Sequence, residues 1–526
     1  MVSGTLPGMN DAADLASLDE HQLRSLAAEL MQQLHVRDEQ IRVKDEAIRT
    51  RDILVDKLQF ELGYLRRIRF GRISEQLDAT QFRLFEEDTL ADAAAIEAEL
   101  ERIVTPKQAP GARQPRRLPL PETLPRIEIR HDPEDLNCVC GCRLECIGED
   151  ATEKLAYVPG VFSVERHLRG RWLCRQCERI TQKEMPPHII DKGIAAPGLL
   201  AHVLVSKFGD HLPLNRLRGI YARQGVTLPI STLSDWVGQC GVQLQPLVDA
   251  LKAELMKCDI LHADETALQV LKHRKDKAGS HRAYLWVYAS TRYDDLKAVV
   301  YDLTESRSGQ HCRTFLGDWQ GKLICDDYAG YKACFAQGIT ELGCMAHARR
   351  KFFEVFASNK SPVAGHALDS IKALYRIERK AGRLKVDDRR RLRQKRAVPI
   401  LDALHGWLKQ QRELVPPGSA IANAIDYSLR RWQALTRYVD DGHAVIDNNH
   451  CENLVRPVAL GRKNWLFAGS LRAGQRAAAV MSLIQSAVLN GHDPYAYLKD
   501  VLTRLPTTKH KDIGELLPHN WRPAQG

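Results

Sequence analysis

At 526 residues the chain is too long for one hydrophobic core, and two to four domains are expected. A hydrophobic fraction of 44% with 27% charged residues is that of folded globular protein. No apolar run approaches the ~20 residues of a membrane span, and the segment before Asp19 lacks a basic-then-apolar leader, so a cytoplasmic protein with no membrane partner is expected. The net charge of +10 suits a polyanionic partner, and thirteen cysteines in a reducing compartment read as metal ligands plus core thiols.

Residues 19–77 predict a long helix. Leu34, Ile41, Ile48, Val55 and Leu62 recur every seven residues, with Leu30, Leu58 and Leu65 on the neighbouring seam. Arg37, Lys44 and Arg51 interrupt that second seam, so a coiled coil joining two copies competes with a hairpin folded on itself. An acidic stretch and then a Pro/Arg-rich linker occupy 78–132.

In 133–187, Cys138, Cys140 and Cys142 precede Cys174-Arg175-Gln176-Cys177, and the sequence from Lys154 to Trp172 alternates as strands do. This pattern predicts a zinc-binding module. Cys138, Cys140, Cys174 and Cys177 are the expected ligands, with Cys142 the rival, and so small a unit would depend on Zn²⁺ to fold. Residues 193–255 predict three short helices. A turn at Gly225 and Pro229 precedes the last one, which Ser231 caps. That arrangement suits a helix-turn-helix-like domain that presents Ser231 and Thr232 to DNA. A small bundle without DNA contact has the same pattern.

Beyond residue 256 the period changes. Ile260–Ala263, Tyr284–Ala289 and Ala298–Tyr301 predict three strands; a helix over Gly309–Leu316 and a fourth strand over Lys322–Cys325 follow. That order is the order of a ribonuclease H-like core, with Asp264 ending the first strand and Asp326 the fourth. Residues 352–440 predict a helical insertion containing the basic run Arg389–Arg396, which is either a solvated face or a DNA contact. Glu452 then opens an amphipathic helix, followed by Arg456, Arg462, Lys463 and Trp465, residue types that grip DNA. Residues 473–526 predict further helices. Three carboxylates gathered on such a core can hold two divalent metals and cut a phosphodiester. Any one of them alone would be read as a cap, a turn residue or half of a surface ion pair.

The strings His262-Ala263-Asp264-Glu265-Thr266, Asp326-Asp327-Tyr328-Ala329-Gly330-Tyr331 and Asn448-Asn449-His450-Cys451-Glu452-Asn453 resemble the insertion sequence 66 family of bacterial DDE transposases, as does Gly461-Arg462-Lys463-Asn464-Trp465. The resemblance covers nearly the whole chain. It implies a multidomain α/β protein: a coiled coil, a zinc module and a helix-turn-helix-like domain ahead of a ribonuclease H-like catalytic core (256–472) with a helical insertion. It further implies that Asp264, Asp326 and Glu452 are the catalytic, Mg²⁺- or Mn²⁺-holding triad. Cys344 and His347 match a family motif whose role the sequence does not yield. The implied partners are double-stranded DNA (transposon ends and target), a second copy of the chain and small accessory proteins of the same element, in a nucleoid-associated protein. Two positions depart from the family: Asp327 stands where glycine is usual, and the first cysteine group is tightly spaced with a third cysteine added. A non-catalytic DNA-binding descendant and a ribonuclease acting on RNA–DNA hybrids are the competing readings.

Overall fold

The computed structural model describes residues 21, 31–42, 44–45, 120–133, 143, 145–158, 160–191, 193–271, 280–465 and 468–523. Residues 31–42 are helical and belong to a compact unit separate from the one that holds residues 120–523. Leu34 and Ile41, seven residues apart, are both exposed on that helix. The rest of the expected heptad seam, most of the linker, and Cys138, Cys140 and Cys142 lie outside the described residues.

In the second unit the chain opens with a small sheet: β1 (Arg126–Arg130), β2 (Glu145–Val158), β3 (Val161–Leu173) and β4 (Ile180–Gln182). The order is β1-β3-β2, with β4 pairing the far end of β3. β1 runs parallel to β3 from Arg126 opposite Val164 to Arg130 opposite Leu168. The end of the expected linker is therefore a strand of the cysteine module. Its alternation was hidden among prolines and arginines.

The module does not stand alone. The inner half of the β2–β3 hairpin carries Leu155, Tyr157, Phe162 and Val164 into the main core. The Leu155 N–H donates to the Ile194 carbonyl, and the Tyr495 hydroxyl donates to the Tyr157 carbonyl at 2.9 Å. A small unit with little core of its own thus shares the main core along its inner half. Only the outer end, where Cys174 and Cys177 lie, is without that apolar support. Cys174→Ser should therefore strip amide-exchange protection from 145–150 and 171–182, while 155–164 stay protected; hydrogen exchange by mass spectrometry reads the two halves separately.

Three helices follow: α1 (Pro197–Phe208), α2 (Leu214–Arg223) and α3 (Ile230–Leu255). Gly225, at φ +84°, supplies the turn before α3. Two expectations need correction here. Pro229, not Ser231, is the residue before the helix, because its fixed φ of −61° already sets the chain for a start at Ile230. And α3 is 26 residues long, not short, and buries Leu233, Trp236, Val237, Cys240, Leu244 and Leu247, which makes it a spine of the core. Ser231 and Thr232 sit half-buried in its first turn.

The large sheet comprises β5 (Ile260–Leu271), β6 (Ser280–Ser290), β7 (Val299–Thr304), β8 (Lys322–Cys325) and β9 (Thr340–Gly343), in the order β7-β6-β5-β8-β9. Helix α4 (Gly309–Leu316) has the expected bounds, its N-terminus held by Ser308, whose hydroxyl accepts the Gln310 N–H. Helix α5 (Lys332–Ala336) links β8 to β9, a fifth strand that the sequence does not announce because it is only four residues long. β5 is antiparallel to β6 and parallel to β8, but the β8 pairing spans only Ile260 to His262. Asp264 thus lies within β5 and does not end it: the antiparallel ladder to β6 carries the strand on through the polar residues to Leu271.

The sheet is covered on both faces. Leu261, Ala263, Leu323 and Cys325 face the core shared with α1, α3 and the C-terminal helices. Ile260, Ile324 and Leu342 face the insertion: α6 (Met345–Asn359), α7 (Pro362–Ala381), α8 (Val386–Leu414), α9 (Ala420–Arg430) and α10 (Trp432–Thr436). Last come α11 (Asn449–Trp465), α12 (Leu471–Leu489) and α13 (Pro494–Arg504), of which α12 crosses β7 and α3. No helix among the described residues is long and apolar enough to cross a membrane.

The basic run divides along α8. Arg393 is fully buried and bidentate on Glu378 (2.9 and 2.7 Å), and it also donates to the Tyr438 and Asp441 carbonyls. Arg389 is buried over the Tyr293 ring. Arg390, Arg391, Lys395 and Arg396 face solvent. Two of the run's six basic residues are structural, because positions 389 and 393 are one helical turn apart on the inward face. Arg393→Ala leaves a buried carboxylate and two carbonyls unpaired and should cost about 3–5 kcal/mol in urea unfolding, whereas Arg390→Gln should change stability by less than about 0.5 kcal/mol.

Candidate active site

Asp264 and Asp326 share a face for a reason that alternation makes plain once the cores are known. Ile260 and Ile324 both enter the insertion-side core, so residues an even number of positions further on project the same way. The β5–β8 register ends with His262 opposite Ile324, and Asp264 and Asp326 each follow two residues further on. Asp326 lies just past the end of β8, where its carboxylate accepts the Tyr328 N–H at 2.9 Å and helps turn the chain. Asp327 turns away: its carboxylate meets Arg431 at 2.5 Å, and Arg431 also contacts Glu341 at 2.6 Å and donates to the Asp326 carbonyl.

Glu452 comes from the first turn of α11, and a buried amide fixes where that helix starts. Asn448 Oδ1 lies 2.7 Å from His262 Nδ1, its Nδ2 donates to the Ala263 carbonyl at 2.9 Å, and its backbone N–H donates to Cys344 Sγ at 3.2 Å. Asp447 accepts from Asn449 N–H, Asn449 Nδ2 and the Tyr375 hydroxyl. Further along, the Tyr301 hydroxyl donates to the Leu454 carbonyl, and Arg462 donates to Thr266 Oγ1 and the Ala267 carbonyl. Helix α11 is thereby laid along β5 with Glu452 near Asp264. Arg462 is engaged in that attachment and Trp465 is half-buried against the core, while Arg456 and Lys463 are exposed.

The other two acids act on Asp264. Burial first, then the charge of Glu265, then those of Asp326 and Glu452 push the Asp264 carboxyl up to about 7, against the pull of the Glu265 N–H on its Oδ1. Glu265, on the opposite face, is held by Arg307 (2.9 Å to Nε) and the Tyr331 hydroxyl (2.6 Å), and Arg307 stacks over Tyr328. His262, fully buried, is pushed down to about 3, chiefly by burial. It is a neutral ring that positions Asn448. His347 is lowered by burial and its Nδ1 faces Glu452 Oε1 at 3.8 Å, while Arg350 lies 3.7 Å from the other oxygen. The sequence shows His262 and Asn448 only as neighbours of the acids; nothing in spacing says that they touch.

An all-carboxylate set in which Asp264 holds its proton unusually tightly suits a hard divalent cation, which would replace that proton. The sign of the pH effect follows. With its carboxyl near 7, the native protein holds a proton that the unfolded chain has lost between pH about 4 and 7, so this group's contribution to stability falls as pH rises through that window. Metal-free Asp264→Asn should therefore melt above the wild type at pH 8, by several degrees, with the gap shrinking as pH falls towards 4. Scanning calorimetry across pH checks it.

The fold thus sets an acidic centre between a mixed sheet and a helix. Family models match in order along the chain: a transposase homeodomain segment (57–129), a zinc-finger binding domain of IS66 transposases (135–178), the IS66 transposase family itself (192–476) and an IS66 C-terminal element (482–519). The chain belongs to the IS66 family of transposases. Two uncharacterised Sinorhizobium fredii proteins are similar over most of their length. y4hP is 34% identical over 498 residues (90% of this chain, 89% of the relative), and y4jD is 34% identical over 502 (90% and 96%). The zinc-finger match spans all of the clustered cysteines, including Cys146, an exposed thiol on β2 not counted among the expected ligands.

Proposed function

We propose that this chain is an active DDE transposase, which frees 3′-OH ends at the terminal inverted repeats of its element by hydrolysis and joins them to target DNA by direct transesterification. The observation that carries the reading is that Asp264 in β5, Asp326 just past β8 and Glu452 in α11 come near enough for the latter two charges to add to burial and Glu265 in raising the Asp264 carboxyl. The sheet order, three antiparallel strands with two parallel ones added beyond the first, supports a ribonuclease H-like core over 256–472 with the insertion at about 352–440. We assign the residues before it to the zinc module and the helix-turn-helix-like domain, and the residues after it to a C-terminal helical region.

Magnesium or manganese bound by the three carboxylates would supply Lewis acidity to the attacked phosphate and to the leaving 3′ oxygen. The protein's own contribution is positional. Asn448 and His262 fix the register of α11 against β5, Tyr328 N–H orients Asp326, and the Glu265–Arg307 pair keeps the second acid of the strand out of the centre. Exposed Arg456 and Lys463 on α11, with Arg350 beside Glu452, offer cations to the DNA backbone. In the first step water attacks the phosphodiester and the 3′ oxygen leaves; in the second that 3′-OH attacks a target phosphate, so no covalent protein–DNA bond forms. A second copy of the chain, joined through the N-terminal helix, would bring the two ends together.

A cleavage assay on duplexes bearing the element's terminal repeats tests this. Asp326→Asn should lower the rate by more than about 100-fold with DNA affinity nearly unchanged, since it removes a metal ligand and not a DNA contact. Asp327→Gly leaves Arg431 with Glu341 and should stay within about threefold of the wild-type rate. Binding without any Mg²⁺-dependent cutting by the wild type would favour the non-catalytic reading, and preference for RNA–DNA hybrids would favour the ribonuclease.

A further inference from the structure

Beside the carboxylates lie two donors that this reaction does not use. Cys344 immediately precedes α6, and His347 occupies its first turn. Cys344 Sγ, a ring nitrogen of His347 and a carboxylate oxygen of Glu452 all lie within 4.8 Å of one another. Cys344 is fully buried, and its sulfur already accepts the Asn448 N–H at 3.2 Å. His347 Nδ1 and Glu452 Oε1 face each other at 3.8 Å, beyond hydrogen-bonding distance, and both are buried without a hydrogen-bond partner among the described residues. Two buried acceptors aimed at one another across a thiol form a cation site in shape and charge.

The donor chemistry differs from that of Asp264 and Asp326. Sulfur and imidazole select zinc-like cations over magnesium, whereas carboxylates alone favour the hard ion. Zinc bonds of about 2.0–2.3 Å require donors about 3.5 Å apart, so the observed cluster closes by side-chain movements of about an ångström. Burial pushes the Cys344 thiol up to about 12, so a bound cation would displace its proton to solvent.

We propose that Cys344, His347 and Glu452 form a second metal site that takes zinc or a similarly thiophilic divalent cation, and that filling it withdraws Glu452 from Asp264 and Asp326 and stops strand cleavage. The site stands on geometry; its effect on cleavage rests on the role proposed above for Glu452.

The test uses full-length protein with the zinc of its cysteine module retained. Bound zinc is counted per chain after titration and dialysis, and Cd²⁺ is followed by sulfur-to-metal charge-transfer absorption. The wild type should take one cation more than Cys344→Ser, whose hydroxyl still accepts the Asn448 N–H but ligates zinc poorly, and the added absorption should be missing from that variant. His347→Gln should weaken the extra binding at least about tenfold. In Mg²⁺-supported cleavage, with each protein normalised to its own zinc-free rate, the zinc concentration for half inhibition should rise at least about tenfold in Cys344→Ser. Wild-type protein that binds no extra cation overturns the site, however the variants fold, as does a Cys344→Ser protein that binds it as tightly. Extra binding that leaves cleavage untouched overturns the switch. Absence of zinc-free cleavage sinks the functional reading instead, and the metal count still decides the site.

Discussion

Asn448 joins parts of the chain that lie 186 positions apart, and the placement of the third acid depends on that joint. Its carboxamide is spent entirely inside the protein: the oxygen on His262, the nitrogen on the Ala263 carbonyl. Those partners sit one and two residues before Asp264. A helix anchored there must start beside the first acid, and Glu452, one turn in, must follow it. Because both partners are fully buried, water cannot substitute for the amide, and losing it would leave a ring N–H and a carbonyl unpaired at about 1–3 kcal/mol each. His262 serves this role only as a neutral ring, which its burial enforces across the physiological range.

The sheet supplies the other two acids by a different constraint. β8 stops at Cys325 while β5 continues for nine more residues past its last β8 partner, His262, so the parallel pair opens where the carboxylates emerge. An acid in that opening is half-buried but not sealed. Neighbouring acids are held by their own partners: Arg307 and the Tyr331 hydroxyl for Glu265, and Arg431 for Asp327. What stays together is a group whose like charges are uncomfortable without a cation, seen in the raised carboxyl of Asp264.

Cations in the insertion divide in the same way between internal and external work. Arg389, Arg393 and Arg431 are buried and hold helices α7, α8 and α10 to the chain around them, whereas their neighbours on α8 face solvent. A run of basic residues on a helix has one composition and two faces, and only the inward face meets Glu378 and the carbonyls of residues 438–442.

The sequence by itself determined the elements whose signals are local. The helix Gly309–Leu316 and the strand Lys322–Cys325 were legible because a serine cap and an apolar run bounded by polar residues are short-range features. The family strings named Asp264, Asp326 and Glu452. Alternation could not separate Asp326 from Asp327, since β8 is apolar on both faces; that Ile260 and Ile324 share one core and that Asp327 meets Arg431 are visible only in the fold. Likewise β1 among the prolines, the four-residue β9, the length of α3, the inward face of the basic run and the contacts of His262, Asn448 and His347 were decided by tertiary structure. Each depends on a partner distant in the chain, and burial, register and pairing with such partners are properties of the folded core that no local pattern carries.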